Sequence, residues 1–395
     1  MTPSKLFSNM SPASKTIGVF IGTRPEVIKL APLIFELKQN SDYRVLVVFT
    51  GQHKDLLTST AKIFGITPDR HIEMNRKKGN LTELTSELIR GCSKILKEEN
   101  PDLVVVQGDT CTAMVSSLAA FYEELPVAHV EAGLRTHNLK APFPEELNRQ
   151  IIARIATMHF APTAQAKKNL LAEGVPSSSI VVTGNTSVDA IQWLIHGPCL
   201  KHKIPPPPAG ETVLVTVHRR ESWYENLHSI CEALRHIAQC RPQCHIYIPV
   251  HPGPAVKNTL HKELSNIPQI YLLDPLPYDE FIDLMSQSSL VMTDSGGVQE
   301  DACALRVPTI ILREFTEREE TVKVGAGIIT GTDSSKIIDA VNRILNGNSK
   351  NKRKKKIPNP FGDGQAARRI LKAITQWFAN GKPSLRSSQQ FHPIP

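Results

Sequence analysis

The sequence predicts an α/β fold of two parallel-sheet, Rossmann-like domains, and three observations carry that prediction. Short β-branched runs alternate with helix-period stretches along most of the 395 residues, which is the rhythm of strand–crossover–strand units. The rhythm lapses once, where His196-Gly-Pro198 leads into four consecutive prolines, Pro205–Pro208, and then restarts. Nearly every predicted strand runs straight into a polar cluster, and the carboxyl ends of strands in open parallel sheets are where ligands bind.

Taken in order, residues 1–15 contain Ser and Pro without an apolar core segment and read as a disordered N-terminal extension rather than a secretory leader. Residues 16–195 form the first domain, with strands at Thr16–Ile21, Arg44–Phe49, Asp102–Gln107, Val127–Val130 and Ile180–Thr183 and amphipathic helices such as Leu81–Glu99 between them. Residues 196–211 are a linker, because a proline run is an extended spacer that joins neither a helix nor a central strand. Residues 212–363 are the second domain, with strands at Thr212–Val217, His245–Val250, Ile270–Leu273, Leu290–Met292 and Thr309–Leu312 and a basic loop at 350–356. A helix over 364–380 is expected to pack back on the first domain, and 381–395 to form a disordered tail.

Composition removes several classes. No apolar run reaches 18 residues, so no membrane span is expected. The net charge of +8 invites a nucleic-acid reading, but setting aside the six basic side chains of 350–356 leaves only +2; a run of this kind reads first as a solvated loop. Seven cysteines without CxxC spacing point to a reducing, cytoplasmic compartment and no structural zinc. Neither GxGxxG, GxxxxGK[ST] nor GxSxG occurs, so dinucleotide, Walker-type and nucleophile-elbow chemistry are not indicated.

The strand-end clusters are Gly22-Thr-Arg-Pro-Glu26, Thr50-Gly-Gln-His53, Gly108-Asp-Thr110, Glu131-Ala-Gly-Leu-Arg135, His218-Arg-Arg-Glu221, His251-Pro252 and Thr293-Asp-Ser-Gly-Gly297. Gly, Asp, Ser and Thr are favoured there as turn and cap residues, whereas the recurrence of Arg, His and Glu points to a ligand. Ser295-Gly296-Gly297 opens a helix, where backbone N–H groups and the helix dipole favour an anion and glycine lets a phosphate approach. Arg24 and Lys29 can neutralise a second anionic group, although Lys29, one turn into its helix, reads equally as a solvated side chain. Asp109, Glu131, Glu145 or Glu146, and His218 have the chemistry for proton transfer. Each also has a structural reading as an N-cap, a helix-start acid or a strand-end histidine.

As an ordered set, these motifs, together with His129-Val-Glu-Ala-Gly-Leu-Arg135, Pro144-Glu-Glu-Leu-Asn-Arg149, Thr183-Gly-Asn-Thr186 and Gly362-Asp-Gly364, resemble the non-hydrolysing UDP-N-acetylglucosamine 2-epimerase family over about residues 16–378. The resemblance implies a GT-B-like fold with substrate in an interdomain cleft, a homodimer, and interconversion of UDP-GlcNAc and UDP-ManNAc without metal, nicotinamide or other cofactor. It implies acid–base roles for Asp109, Glu131 and Glu145, with His218 supporting phosphate departure. It assigns Arg24, Ser295, Gly296 and Gly297 to the pyrophosphate, Lys29 and Arg318 more loosely to the anionic end, Phe281 to the uracil and Asp301 to the ribose. Gln52, Arg219 and His251 match a second, allosteric site of some bacterial members. The chain departs from the family pattern at Asp55, Gln107, Asp301, Cys303, Arg306 and Glu319; Asp301 replaces a glutamate and reaches ~1.5 Å less far. A hydrolysing epimerase or a GT-B glycosyltransferase is the alternative among enzymes. A catalytically silent nucleotide-sugar-binding protein is the alternative outside them, disfavoured by the joint presence of Asp109, Glu131, Glu145 and His218.

Overall fold

Strands buried on both faces need continuous apolar side chains, and Leu103-Val-Val-Val-Gln107 supplies five buried positions in a row. The computed structural model of the chain describes residues 14–74, 79–197, 210–217, 225–346, 359–383 and 385–392. Pro205–Pro208, the basic loop at 350–356, His218 and Arg219 lie outside the described residues, as does most of the N-terminal extension.

The elements run β1 Lys15–Ile21, α1 Arg24–Lys38, β2 Tyr43–Phe49, α2 Lys54–Ile63, β3 Arg70–His71, α3 Leu81–Glu99, β4 Leu103–Gln107, α4 Cys111–Tyr122, β5 Val127–Val130, α5 Glu145–Ile155, β6 Met158–Ala161, α6 Ala164–Ala172 and β7 Ile180–Val182. They continue with α7 Thr186–His196, β8 Glu211–Thr216, α8 Glu225–Cys240, β9 Cys244–Pro249, α9 Pro254–Leu264, β10 Ile270–Leu273, α10 Tyr278–Gln287, β11 Leu290–Thr293, α11 Gly296–Ala304, β12 Thr309–Ile311, α12 Glu319–Lys323, β13 Gly327–Ile329, α13 Ser334–Asn346 and α14 Ala366–Asn380. Two sheets result, ordered β3-β2-β1-β4-β5-β6-β7 and β10-β9-β8-β11-β12-β13, with parallel pairings in each. The strand order reverses at β1/β4 in the first sheet and at β8/β11 in the second, so ligand-binding loops are expected after those strands.

β3, β6 and β13 were not among the predicted strands. They are two to four residues long, and Met158-His-Phe-Ala161 has no β-branched residue, so local pattern is too weak to mark them.

The chain divides into two compact units. Unit 1 takes Met1–Ala161, Gln165–Val181 and Ala367–Gln389; unit 2 takes Pro162–Ala164, Val182–Ala366 and Gln390–Pro395. Residues 182–195, expected in the first domain, fall in unit 2. The Asn185 N–H donates to the Phe361 carbonyl at 2.6 Å, and Val188 joins Cys303, Ala326 and Phe361 in an apolar cluster.

Within unit 1, α3 starts on Asn80, whose side chain accepts the Glu83 N–H, and stops on Asn100 in the left-handed region. Its buried stripe, Leu84, Leu88, Cys92 and Ile95, has helical spacing. α14 buries Ile370, Ala373 and Ile374; Tyr43 donates its hydroxyl to Thr375 Oγ1 at 2.9 Å, and Arg368 pairs with Glu36 at 3.0 Å. Unit 2 is built on Val213, Val215, Leu234, Ile246, Met292, Ile310 and Val341. The tail expected to be disordered from residue 381 carries a short 3-10 turn, Ser387–Gln389. Burial of Leu385 and Phe391 and a 2.9 Å hydrogen bond from Phe391 N–H to the Val182 carbonyl hold it in place. Among the described residues no helix is long and apolar enough to cross a membrane.

Candidate active site

Unit 1 gathers its polar groups where β1, β4 and β5 end. Gly22 follows β1, and a Cβ there would stand 1.9 Å from Thr112 Oγ1 and 2.5 Å from Thr50 Oγ1, so only glycine fits. The Thr50 and Thr112 hydroxyls are 2.8 Å apart, and Gln52 Oε1 accepts from the Thr112 N–H and hydroxyl at 3.1 and 2.9 Å. Thr23 starts α1 as the first residue of a Thr-x-x-Glu capping box. Its glutamate, Glu26, accepts the Gly22 and Thr23 N–H groups at 3.0 and 2.7 Å and the Thr110 hydroxyl at 2.7 Å. Burial outweighs those bonds and pushes the Glu26 carboxyl up to about 7. Arg24 occupies the first helical position and is exposed.

Glu131 follows β5 with φ +65°, a left-handed conformation that costs a non-glycine residue energy and fixes its direction. One of its oxygens, Oε2, accepts from Lys29 Nζ at 2.5 Å and from Gln107 Nε2 at 2.8 Å. Lys29 is thus an ion-pair partner of Glu131 and not a solvated side chain. His129 is buried, and its Nε2 lies 2.7 Å from the Gly108 carbonyl, so Nε2 carries the hydrogen. Burial pulls His129 down to about 3 and its neighbour in the sheet, His159, down to about 4; both rings are neutral.

Asp109 follows β4 and is held entirely by α5. Arg149 Nε donates to Asp109 Oδ2 at 2.8 Å and Nη2 forms an ion pair with the same oxygen at 2.7 Å, and Asn148 Nδ2 donates to its main-chain carbonyl at 2.8 Å. The two adjacent glutamates left open by the sequence separate here. Glu146 is fully buried and accepts from the Thr136 and His137 N–H groups, Arg149 and Gln150 at 3.0 to 3.2 Å. Burial alone would raise its carboxyl, but these donors hold it below its ordinary range. Glu145 has a buried Oε2 with no hydrogen-bond partner among the described residues, the arrangement of a group kept for a ligand.

Unit 2 presents the end of β11 to the start of α11. Ser295 caps the helix by accepting the Val298 N–H, and its own N–H donates to Thr293 Oγ1 at 3.0 Å. Gly296 and Gly297 form the first turn. Arg318 is buried against Gly296, with its guanidinium carbon 3.6 Å from where a Cβ would sit. It pairs with Glu300, which also accepts from Asn185 Nδ2 at 3.0 Å. Asp301 is buried and stands 3.5 Å from the Tyr278 hydroxyl. Phe281 packs on the apolar cluster of Leu214, Tyr247 and Met285, and His251 Nδ1 accepts the Gly253 N–H at 3.0 Å.

The sequence-predicted residues therefore form two sets. Arg24, Lys29, Gln52, Asp109, Glu131 and Glu145 lie at strand and helix ends of unit 1, and His251, Phe281, Ser295, Gly296, Gly297, Asp301 and Arg318 in unit 2. Sequence reasoning missed the supporting roles of Glu26, Gln107, Glu146, Arg149 and Glu300. The capping box signals the first and the i, i+3 spacing on α5 signals the Glu146–Arg149 pair; nothing local signals the contacts of Gln107 and Glu300. Among the described residues no group of three His, Cys, Asp or Glu side chains is placed to hold a metal ion.

Residues 35–375 match the family model described as UDP-N-acetylglucosamine 2-epimerase. The chain is 42% identical to the UDP-N-acetylglucosamine 2-epimerase of Yersinia pestis over 91% of its own length and 98% of the relative's. The UDP-GlcNAc 2-epimerase of Neisseria meningitidis bound to UDP-GlcNAc is 35% identical and superposes with a TM-score of 0.84, covering 92% of this chain and 100% of that one. The Methanocaldococcus jannaschii UDP-GlcNAc 2-epimerase in complex with UDP-GlcNAc and UDP is also 35% identical, with a TM-score of 0.77 and coverage of 91% and 99%.

Proposed function

Since the chain belongs to the UDP-N-acetylglucosamine 2-epimerase family, we propose that it interconverts UDP-GlcNAc and UDP-ManNAc by the non-hydrolysing route. The C2 proton of the sugar is not adjacent to a carbonyl, so its removal alone would leave an unstabilised carbanion. Breaking the C1–O bond in concert sends that electron pair into a C1=C2 double bond and the C1–O electrons onto the UDP β-phosphate. The product pair is 2-acetamidoglucal and UDP. Returning a proton to the opposite face of C2 while the phosphate oxygen re-attacks C1 gives the epimer, and no atom is lost to water.

The observation that carries this reading is the acid–base set of unit 1. Asp109, Glu131 and Glu145 come from three segments of unit 1: Asp109 is held by Arg149, Glu131 by Lys29 and Gln107, and Glu145 carries a buried oxygen without a hydrogen-bond partner among the described residues. Two-faced proton chemistry at one carbon needs more than one such group. Ser295, Gly296 and Gly297 at the start of α11, with Arg318 beside them, suit the departing pyrophosphate, because N–H groups and a guanidinium stabilise developing negative charge. Arg24 is a further cation assigned to the phosphates, Phe281 is assigned to the uracil, and Asp301 to the ribose. His218 completes the proton balance. Gln52, Arg219 and His251 serve a second, activating molecule of substrate. The enzyme works in the cytoplasm as a homodimer, and the exposed Phe121 and Tyr122 on α4 offer an aromatic surface for self-association; light scattering at twice the chain mass checks it.

Incubation with UDP-GlcNAc in D2O, followed by NMR, tests the route. Deuterium at C2 of UDP-ManNAc with UDP still attached is expected. Free ManNAc with UDP would mark hydrolysis, and bound but unchanged substrate would mark a silent binder. Asp109→Asn is expected to lower kcat by ~10²–10⁴-fold, leaving a measurable residual turnover, while keeping UDP affinity.

A further inference from the structure

We propose that Arg149, locked in place by Glu146, is the positioning residue for Asp109: it occupies one carboxylate oxygen and leaves the other to face the sugar. The inference rests on the proton-transfer role given to Asp109 above.

Six contacts within unit 1 build the device from the backbone outward. The Thr136 and His137 N–H groups fix Glu146 at 3.0 and 3.2 Å. Glu146 Oε2 then holds Arg149 Nη1 at 3.1 Å, one turn along α5. The remaining edge of the guanidinium, Nε and Nη2, closes on Asp109. Both nitrogens approach the same oxygen, Oδ2, Nε as a hydrogen-bond donor and Nη2 as an ion-pair contact. The usual arginine–carboxylate fork would take one oxygen each; here no donor among the described residues reaches Oδ1. Meanwhile Asn148 fastens the Asp109 carbonyl at 2.8 Å, so backbone and side chain are tied to the same helix.

Burial is graded along this chain. The Glu146 side chain is 0% exposed, Arg149 10% and Asp109 27%, so the series runs from the interior to the accessible carboxylate. A helix pair that served packing alone would need neither the third member nor its one-oxygen geometry. Glu145 is the first residue of the same helix, so α5 fixes the spacing of two proton-transfer groups at once.

The experiment is a double-mutant cycle. Arg149→Gln is expected to lower kcat about 100-fold, the scale of a misplaced reacting group, while KM and UDP affinity stay near wild type. Adding Arg149→Gln to Asp109→Asn is expected to cost nothing further, because an oriented carboxylate no longer exists to lose. Multiplying losses in the double variant would overturn the positioning role and leave the Asp109 assignment standing. Wild-type turnover in Asp109→Asn alone would remove both. If Arg149→Gln does not fold, Arg149→Lys carries the test. A single ammonium keeps the charge for Glu146 but not the paired donors, so a reduced kcat at unchanged KM is expected and a wild-type kcat overturns the proposal.

Discussion

At the scale of the residue, identity was legible and support was not. Asp109 and Glu131 announce themselves as acids at strand ends, but only the structure shows that Lys29 and Gln107 converge on one oxygen of Glu131. Those partners are far apart in sequence, and no local pattern encodes which side chains meet across a sheet end. The Glu145 and Glu146 pair illustrates the same limit: adjacent, chemically identical, and separated only by which oxygens are already saturated. Gly22 is a prediction at this scale. Gly22→Ala places a methyl within 1.9 Å of Thr112 Oγ1; overpacking of this kind costs ~1–3 kcal/mol, so a fall in Tm is expected, with loss of turnover because Thr112 also holds Gln52. A normal Tm and normal activity would mean that the β1 loop yields more easily than its neighbours suggest.

At the scale of the element, long buried runs were readable and short ones were not. β4 is five buried apolar or amide residues in a row, whereas β13 is Gly-Ile-Ile, indistinguishable by itself from a loop. Helix starts were readable because caps are local: Thr23, Asn80 and Ser295 each stand where a polar side chain precedes an apolar periodic stretch. Ser295→Ala removes the cap of α11 and is expected to cost ~1 kcal/mol of stability. Urea midpoints would read that loss, and titration calorimetry would read weaker UDP binding; unchanged UDP affinity would separate the cap from the ligand site. In α14, Ile374→Ala empties a fully buried position and is expected to cost ~2–5 kcal/mol. Equilibrium unfolding measures it directly, and a loss below ~1 kcal/mol would mean that the helix is dispensable to unit 1.

At the scale of the whole molecule, two parallel α/β halves follow from the rhythm of the chain, but the division of residues between units does not. Residues 182–195 join unit 2 through contacts with 300–361, which sequence distance hides. Titration also belongs to this scale. His129 and His159 are neutral when folded, with values near 3 and 4 against 6.5 in the unfolded chain, so the unfolded state gains two protons as pH falls below 6.5. Glu26, at about 7 when folded against 4.5 unfolded, works the other way, since the folded state binds its proton between those values. The net is one proton favouring unfolding between pH 6.5 and 4.5, and stability is expected to fall by ~1.4 kcal/mol per pH unit on acidification. His159→Gln cancels the imbalance and should flatten that slope; an unaltered slope would place the proton uptake elsewhere.

The return of α14 to unit 1 has a consequence for biosynthesis. The segments of that unit up to Val181 leave the ribosome well before Ala367. At roughly 5–20 residues per second, the gap is on the order of 10–40 s. For that interval Tyr43 awaits the Thr375 hydroxyl, and the apolar side chains that later bury Ile370 and Ile374 await a helix still to be translated.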